Sequence, residues 1–165
     1  MPDVIADTSV IQYLFQVGLL DLLFTLYQEI NIPTAVANEL AEGRSHGIEL
    51  PEAETMARFS TTVVAVPPSI QLLRSLGSGE REVLALASAS SDHLILLDDA
   101  AARQRARELG LRFTGTLGIL LKAKQAGFLV EIRSTLDKLE SKGFRLDKKT
   151  RAAMMNLAEE TASEG

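Results

Sequence analysis

Leu94-Ile95-Leu96-Leu97 is an unbroken apolar run that ends in the pair Asp98-Asp99. A strand with one solvated face alternates apolar and polar residues. A run without alternation is what a strand covered on both faces shows, and such strands belong to parallel sheets packed between helices. The neighbouring segments agree. Val4-Ile5-Ala6 reads as a short strand ending at Asp7, after which Thr8 or Ser9 can cap a helix, and Leu19 to Tyr27 continues as apolar helix. Glu29 to Ile32 is a brief strand, and Pro33 suits the first turn of a helix running to about Glu42, which Gly43 stops. The polar stretch 43–60 is expected to be a loop with a helical turn. Thr61 to Val66 is β-branched and reads as a strand closed by Pro67-Pro68.

A short helix then precedes Gly77-Ser78-Gly79, which opens a helix from Glu80 to Ser90. The apolar run Leu94–Leu97 is the next strand. A helix from about Ala100 to Leu109 follows Asp99, and Leu111 to Thr114 is a last short strand. From Thr116 the chain looks helical in three pieces, broken near Gly127 and at Gly143. Strands separated by helices imply parallel pairing with helices on both faces, and in such folds the site lies beyond the carboxyl ends of the strands. Asp7 and Asp98 each follow a strand directly, so neighbouring strands would open both carboxylates into one crevice.

A chain of 165 residues suffices for one domain with a real core, and it contains no cysteine. Disulfide scaffolds, thiolate zinc sites and cysteine nucleophiles are thereby excluded, and a reducing compartment is suited. The segment Met1–Asp7 has no basic region followed by a long apolar core, and no stretch approaches about 18 consecutive apolar residues. A cytoplasmic protein with no membrane span is the expectation.

Net charge is −5, unevenly spread: residues 1–73 hold two basic and nine acidic residues, and residues 74–165 hold fifteen basic and thirteen acidic ones. The basic residues gather at Arg103, Arg105, Arg107, Arg112, Lys122 and Lys124, and again at Arg145, Lys148, Lys149 and Arg151. Solvated helix faces and a phosphate-contacting rim both account for them.

Several acids stand where folding alone would place something else. Val83, Leu84 and Ala87 lie three, four and seven residues after Glu80, on its own helix face, so Glu80 borders the buried stripe while Glu82 points to solvent. The plain alternative is that Glu80 only complements the helix dipole. Glu39 borders the apolar face of Val36 and Leu40, where a surface glutamate is also ordinary. Asp7 could simply cap a helix. At Asp98-Asp99 two caps for one helix are redundant, so Asp99 is assigned to capping and Asp98 to the crevice. Four carboxylates without cysteine or paired histidine form a hard oxygen donor set, which suits Mg²⁺ or Mn²⁺ and phosphodiester hydrolysis.

Other motifs carry less. Gly77-Ser78-Gly79 lacks the Gly-Lys-Ser/Thr of a phosphate loop. Gly115-Thr116-Leu117-Gly118 either brings the Thr116 hydroxyl and a backbone amide to the crevice or is a plain turn with a helix cap. Arg103 either meets a phosphate or pairs with an aspartate. His46 and His93 fall outside any ligand spacing.

In order and spacing the chain resembles the PIN-domain family of metal-dependent ribonucleases, and within it a prokaryotic branch similar to VapC-type toxins. The carriers are Asp7-Thr8-Ser9, then Ile32-Pro33 with Val36 and Glu39-Leu40, then Gly79-Glu80 with Val83 and Ala87. They continue through Leu96-Leu97-Asp98-Asp99 with Arg103 and Ala106, and Gly110-Leu111 with Gly115-Thr116-Leu117-Gly118. The likeness runs from residue 3 to about 146, which makes 1–146 the nuclease domain and 147–165 a helical tail, fraying at Glu159–Gly165 or docking a partner. It implies a three-layer α/β/α sandwich with a central, mostly parallel sheet. It also implies catalytic acids at Asp7, Glu39, Glu80 and Asp98, with Mg²⁺ or Mn²⁺ on Asp7, Glu80 and Asp98 or Asp99. Ser9 or Thr8 would orient a ligand or water, with Arg103 and Thr116 nearby for the RNA substrate. An antitoxin partner and a homodimer go with the toxin branch. The chain departs from the family at the third acid, often aspartate but here Glu80, and at the fourth, where Asp98-Asp99 replaces threonine-x-aspartate.

Two rivals have distinct signatures. A phosphatase using Asp7 as nucleophile wants a second aspartate two residues on, where this chain has Ser9. A non-catalytic RNA- or protein-binding module on the same fold would shift RNA without cutting it.

Overall fold

The computed structural model describes residues 3–90 and 92–160. Five parallel strands form one sheet: β1 (Asp3–Ala6), β2 (Ile30–Pro33), β3 (Ser60–Thr62), β4 (His93–Leu96) and β5 (Arg112–Thr114), in the order β3-β2-β1-β4-β5. The chain winds outward from β1 to β3, returns to place β4 against the other side of β1, and ends on β5. The reversal of strand order therefore falls beside β1. The helices are α1 (Thr8–Gln16), α2 (Asp21–Tyr27), α3 (Thr34–Ser45), α4 (Ala53–Met56), α5 (Pro68–Gln71), α6 (Ser78–Ser88), α7 (Ala100–Glu108), α8 (Thr116–Gln125), α9 (Arg133–Ser141) and α10 (Lys148–Leu157). They cover both faces of the sheet, with α6 against β1, β2 and β4 and beside α3, and α8 against β5, α2 and α10.

The core follows from the apolar strands. Ile5, Ile30, Ile95 and Leu96 are all fully buried, as are Leu84 of α6 and Ile119 and Leu120 of α8 that pack over them. Each such side chain contributes roughly 1.5–3 kcal/mol. Among the described residues no single helix is long and apolar enough to cross a membrane.

Element boundaries shift where a local signal competed with a tertiary one. Gly43 does not stop α3, which runs to Ser45 and gives way at Gly47, whose φ is +84°. Gly43 instead admits its neighbours: a Cβ there would meet Leu50 Cδ1 at 2.6 Å. Pro33 ends β2 rather than opening α3. The strand expected over Thr61–Val66 stops at Thr62, because its partner β2 ends at Pro33 and the chain beyond turns into α3, leaving nothing to pair with. Asp7, not Thr8 or Ser9, occupies the N-cap position of α1. Gly18, at φ +77°, separates α1 from α2, which starts at Asp21 rather than Leu19.

The C-terminal segment is tied to the body. Met154, Met155 and Ala158 are buried in the common core. The Glu160 carboxylate accepts from the Ile132 amide (2.8 Å) and pairs with Lys124 (3.0 Å), so Glu160 is anchored where fraying was expected. The fraying expected of residues 161–165 lies outside the described residues.

Candidate active site

Register at the centre of the sheet brings the first two acids together. Ala6 of β1 stands opposite Leu96 of β4, the Asp7 amide donates to the Leu96 carbonyl (3.0 Å), and the Leu97 amide donates to the Thr114 carbonyl (2.8 Å). These bonds carry the ladder one step past the strand ends, so Asp7 and Asp98 emerge side by side where the strand order reverses. Helices α3 and α6 bring Glu39 and Glu80 to the same end.

The acids are held in different ways. Asp98 is clamped by one residue: Thr116 donates its amide to Oδ1 (2.8 Å) and its hydroxyl to Oδ2 (2.6 Å). Thr116 is fully buried at the first turn of α8, so Asp98 caps that helix from a neighbouring element. Glu39 does the same for α6, accepting from the Gly79 amide (2.8 Å) and from the Thr8 hydroxyl (2.6 Å). Both clamps need the closeness of a glycine. A Cβ on Gly79 would lie 2.6 Å from Glu39 Oε1, and one on Gly115 would lie 2.6 Å from Asp98 Oδ1 and 2.0 Å from an Arg103 nitrogen.

Glu80 accepts from the Gly77 amide at the start of its own helix (3.0 Å), so its plain capping role is real. Burial pushes its carboxyl above the usual range, with Asp99 and Glu39 adding repulsion. Asp7 is the exception. It is 2% exposed, sits at a helix N-cap without forming a side-chain cap bond, and its Oδ1 is buried without a hydrogen-bond partner among the described residues. Burial first, and repulsion from Glu80, Glu39 and Asp98 after it, push its pKa up to about 7, against the opposing pull of the Thr8 amide.

The remaining residues sort cleanly. Asp99 caps α7 through the Ala102 amide (2.9 Å) and is exposed. Arg103 meets no aspartate: its Nε donates to the Leu97 carbonyl (2.7 Å) and its guanidinium lies 5.1 Å from the Phe113 ring centre. Ser9 lines a cavity of about 510 Å³ together with Tyr13, Glu80, Asp98 and Asp99. Glu82 is not a plain solvent glutamate, since its Oε1 accepts from the Ala35 amide (3.1 Å) at the start of α3. His93 opens β4 at the opposite end of the sheet, and the His46 ring bonds to the Glu42 carbonyl of the preceding helix (2.8 Å). Sequence spacing did not single out Tyr13, Phe113 or Phe144, which line the crevice, and saw Arg145 only as one member of a basic cluster.

Among the described residues no three acids already converge as a coordination sphere. The donor chemistry nevertheless fits a hard divalent cation. Asp7 presents a buried oxygen that no protein donor satisfies, beside carboxylates that repel it, and a cation answers both deficits. Each oxygen of Asp98 also keeps a second lone pair beyond the one given to Thr116.

The family model for the DUF3368 PIN domain matches residues 3–160. No curated protein and no solved structure matches the chain.

Proposed function

The chain belongs to the PIN-domain family, whose members are generally nucleases that use divalent metals, and from that premise we propose that it hydrolyses RNA phosphodiester bonds with Mg²⁺ or Mn²⁺. The observation that carries the reading is the orphaned, buried Asp7 oxygen at the point where the strand order reverses, crowded by Glu39, Glu80 and Asp98. Asp7, Glu80 and Asp98 would hold the metal, with Asp99 reaching it only through the oxygen not spent on capping α7. Bound there, the metal would polarise a phosphoryl oxygen and lower the pKa of a water.

The chain's own groups set the stage for that chemistry. Thr116 fixes the rotamer of Asp98 through two hydrogen bonds, so the carboxylate does not have to reorganise when substrate arrives. Glu39 has both oxygens engaged and is a positioning residue: it locks Thr8 beside Asp7 and the start of α6 beside Glu80. Ser9, on the cavity wall, offers a hydroxyl to a substrate oxygen.

The test is incubation of the protein with mixed cellular RNA in Mg²⁺, in Mn²⁺ and in chelator, alongside Asp7→Asn and Glu80→Gln. Metal-dependent cleavage that both substitutions abolish supports the reading. RNA that is bound but left intact by wild type in either metal would replace it with the non-catalytic binding module. The finer role of a homodimeric toxin restrained by an antitoxin draws on the order of the sequence motifs. Growth arrest on induced expression, lost in Asp7→Asn, tests it. A cytoplasmic site of action is part of the same proposal.

A further inference from the structure

A second cavity, of about 380 Å³, adjoins the acid site. It shares Asp98, Phe144 and Arg145 with the cavity that holds Ser9 and Glu80, so the segment between α9 and α10 stands between two halves of one groove. The outer half is walled by Arg103 and Phe113 and floored by Leu117 and Gly118. Its volume lies at the small end of the roughly 300–1,000 Å³ typical of ligand sites, room for about one nucleotide.

The electrostatics of this half are opposite to those of the acid site. Among the described residues Arg145 makes neither an ion pair nor a hydrogen bond, and Arg103 pairs with no carboxylate. Elsewhere Arg44, Arg58, Arg112 and Arg151 are each matched to an acid. Among the described residues, then, Arg145 keeps its guanidinium without a protein partner, and Arg103, which gives its Nε to the Leu97 carbonyl, has no carboxylate to neutralise it, so two positive charges stand beside the carboxylate cluster. They are what a polyanion needs if one of its phosphates is to approach that cluster. Phe144 adds an aromatic surface: it meets Tyr13 edge-on, with ring centres 5.0 Å apart and planes at 84°, and lines both cavities.

We propose that this outer cavity is a nucleotide-recognition subsite, in which Phe144 stacks on one unpaired base and Arg145 binds the phosphate next to the bond that is cut. A base held in a duplex cannot enter such a cavity without leaving its partner, so the subsite selects unpaired RNA and biases the base beside the cut. This inference rests on reading the acid site as a ribonuclease site.

The experiment measures binding without cleavage. A fluorescent 2′-O-methyl RNA hexamer is titrated with the full-length protein in Mg²⁺ and read by anisotropy, against the same strand in a duplex. Phe144→Leu keeps an apolar side chain beside Tyr13 but lacks the aromatic face, and Arg145→Ala alters an exposed residue. The expected result is single-strand binding weakened about tenfold or more by each substitution, and wild type preferring the single strand. Equal binding by all three proteins, or no preference for the single strand, overturns the subsite. Absence of cleavage of unmodified RNA by wild type, with hexamer binding that both substitutions weaken, would instead count against the nuclease reading and leave the subsite supported.

Discussion

Thr116 holds both oxygens of Asp98, one by its backbone amide and one by its hydroxyl. A single buried residue at a helix start thus fixes the direction of a carboxylate that belongs to a different strand–helix junction.

Replacing that hydroxyl isosterically should separate the two bonds. Thr116→Val keeps shape and amide but leaves Asp98 Oδ2 without its donor. Urea denaturation should show a loss of about 1–3 kcal/mol, and Thr116→Ser should recover most of it. Cleavage should fall with Thr116→Val even where the protein remains fully folded.

The state of Asp7 should be visible as a pH dependence of stability in metal-free protein. Its folded pKa, about 7, lies above the ordinary value of 3.8, so the native state binds the proton more tightly than the unfolded chain does. Stability is therefore not penalised below pH 3.8, falls as pH rises between these values, and carries the full penalty above about 7. The difference is on the order of 4 kcal/mol as an upper figure. Asp7→Asn should remove this dependence and be the more stable protein at pH 8. Chemical denaturation across pH 4–8 checks the sign, and identical profiles for the two proteins would refute it.

Metal should reverse the same penalty. At pH 8, Mg²⁺ or Mn²⁺ should raise the melting temperature of wild type, and chelator should restore the lower value. Asp7→Asn should show little of this response.

Glu80 and Glu82 make a matched pair two residues apart. Glu80→Gln keeps an acceptor for the Gly77 amide and relieves repulsion, so it should abolish cleavage at little cost in stability. Glu82→Ala takes the acceptor from the Ala35 amide and should cost about 1–2 kcal/mol with cleavage at saturating metal unchanged. Calorimetry together with the cleavage assay distinguishes them, and a swapped outcome would mean the roles are reversed.

Gly115→Ala should be disproportionately harmful. The backbone at Gly115 is extended (φ −115°), so alanine incurs no conformational strain there. Its methyl carbon would still collide with Asp98 Oδ1 and the Arg103 guanidinium, and Thr116 prevents Asp98 from yielding. A loss of about 1–3 kcal/mol is expected. Cleavage should fall further than that loss explains, when compared with an equally destabilised variant of the distant core.

What the chain's local pattern determined was the sheet and its open end. The unalternated run before Asp98 and the short strand before Asp7 specify buried parallel strands, because a face that meets water cannot be apolar at every residue. That placed two acids at strand ends. The redundancy of Asp98-Asp99 also separated the cap from the crevice acid, since capping is a bond between residues three apart.

Tertiary structure decided everything that depends on which distant backbone ends up beside which side chain. Glu82 reads as solvent-facing from its helix alone, yet α3 delivers the Ala35 amide to it across 47 residues of sequence. For Glu39 the sequence leaves a surface glutamate open beside a site acid, and for Asp7 a plain cap; only the fold shows α6 bringing Gly79 against Glu39 and the Asp7 Oδ1 buried without a donor among the described residues. Phe144 and Arg145 join the crevice only because the connection between α9 and α10 lies along its wall. Periodicity records which face of an element is buried. The partner on that face is fixed only when the sheet order and the lengths of the connections have closed the fold.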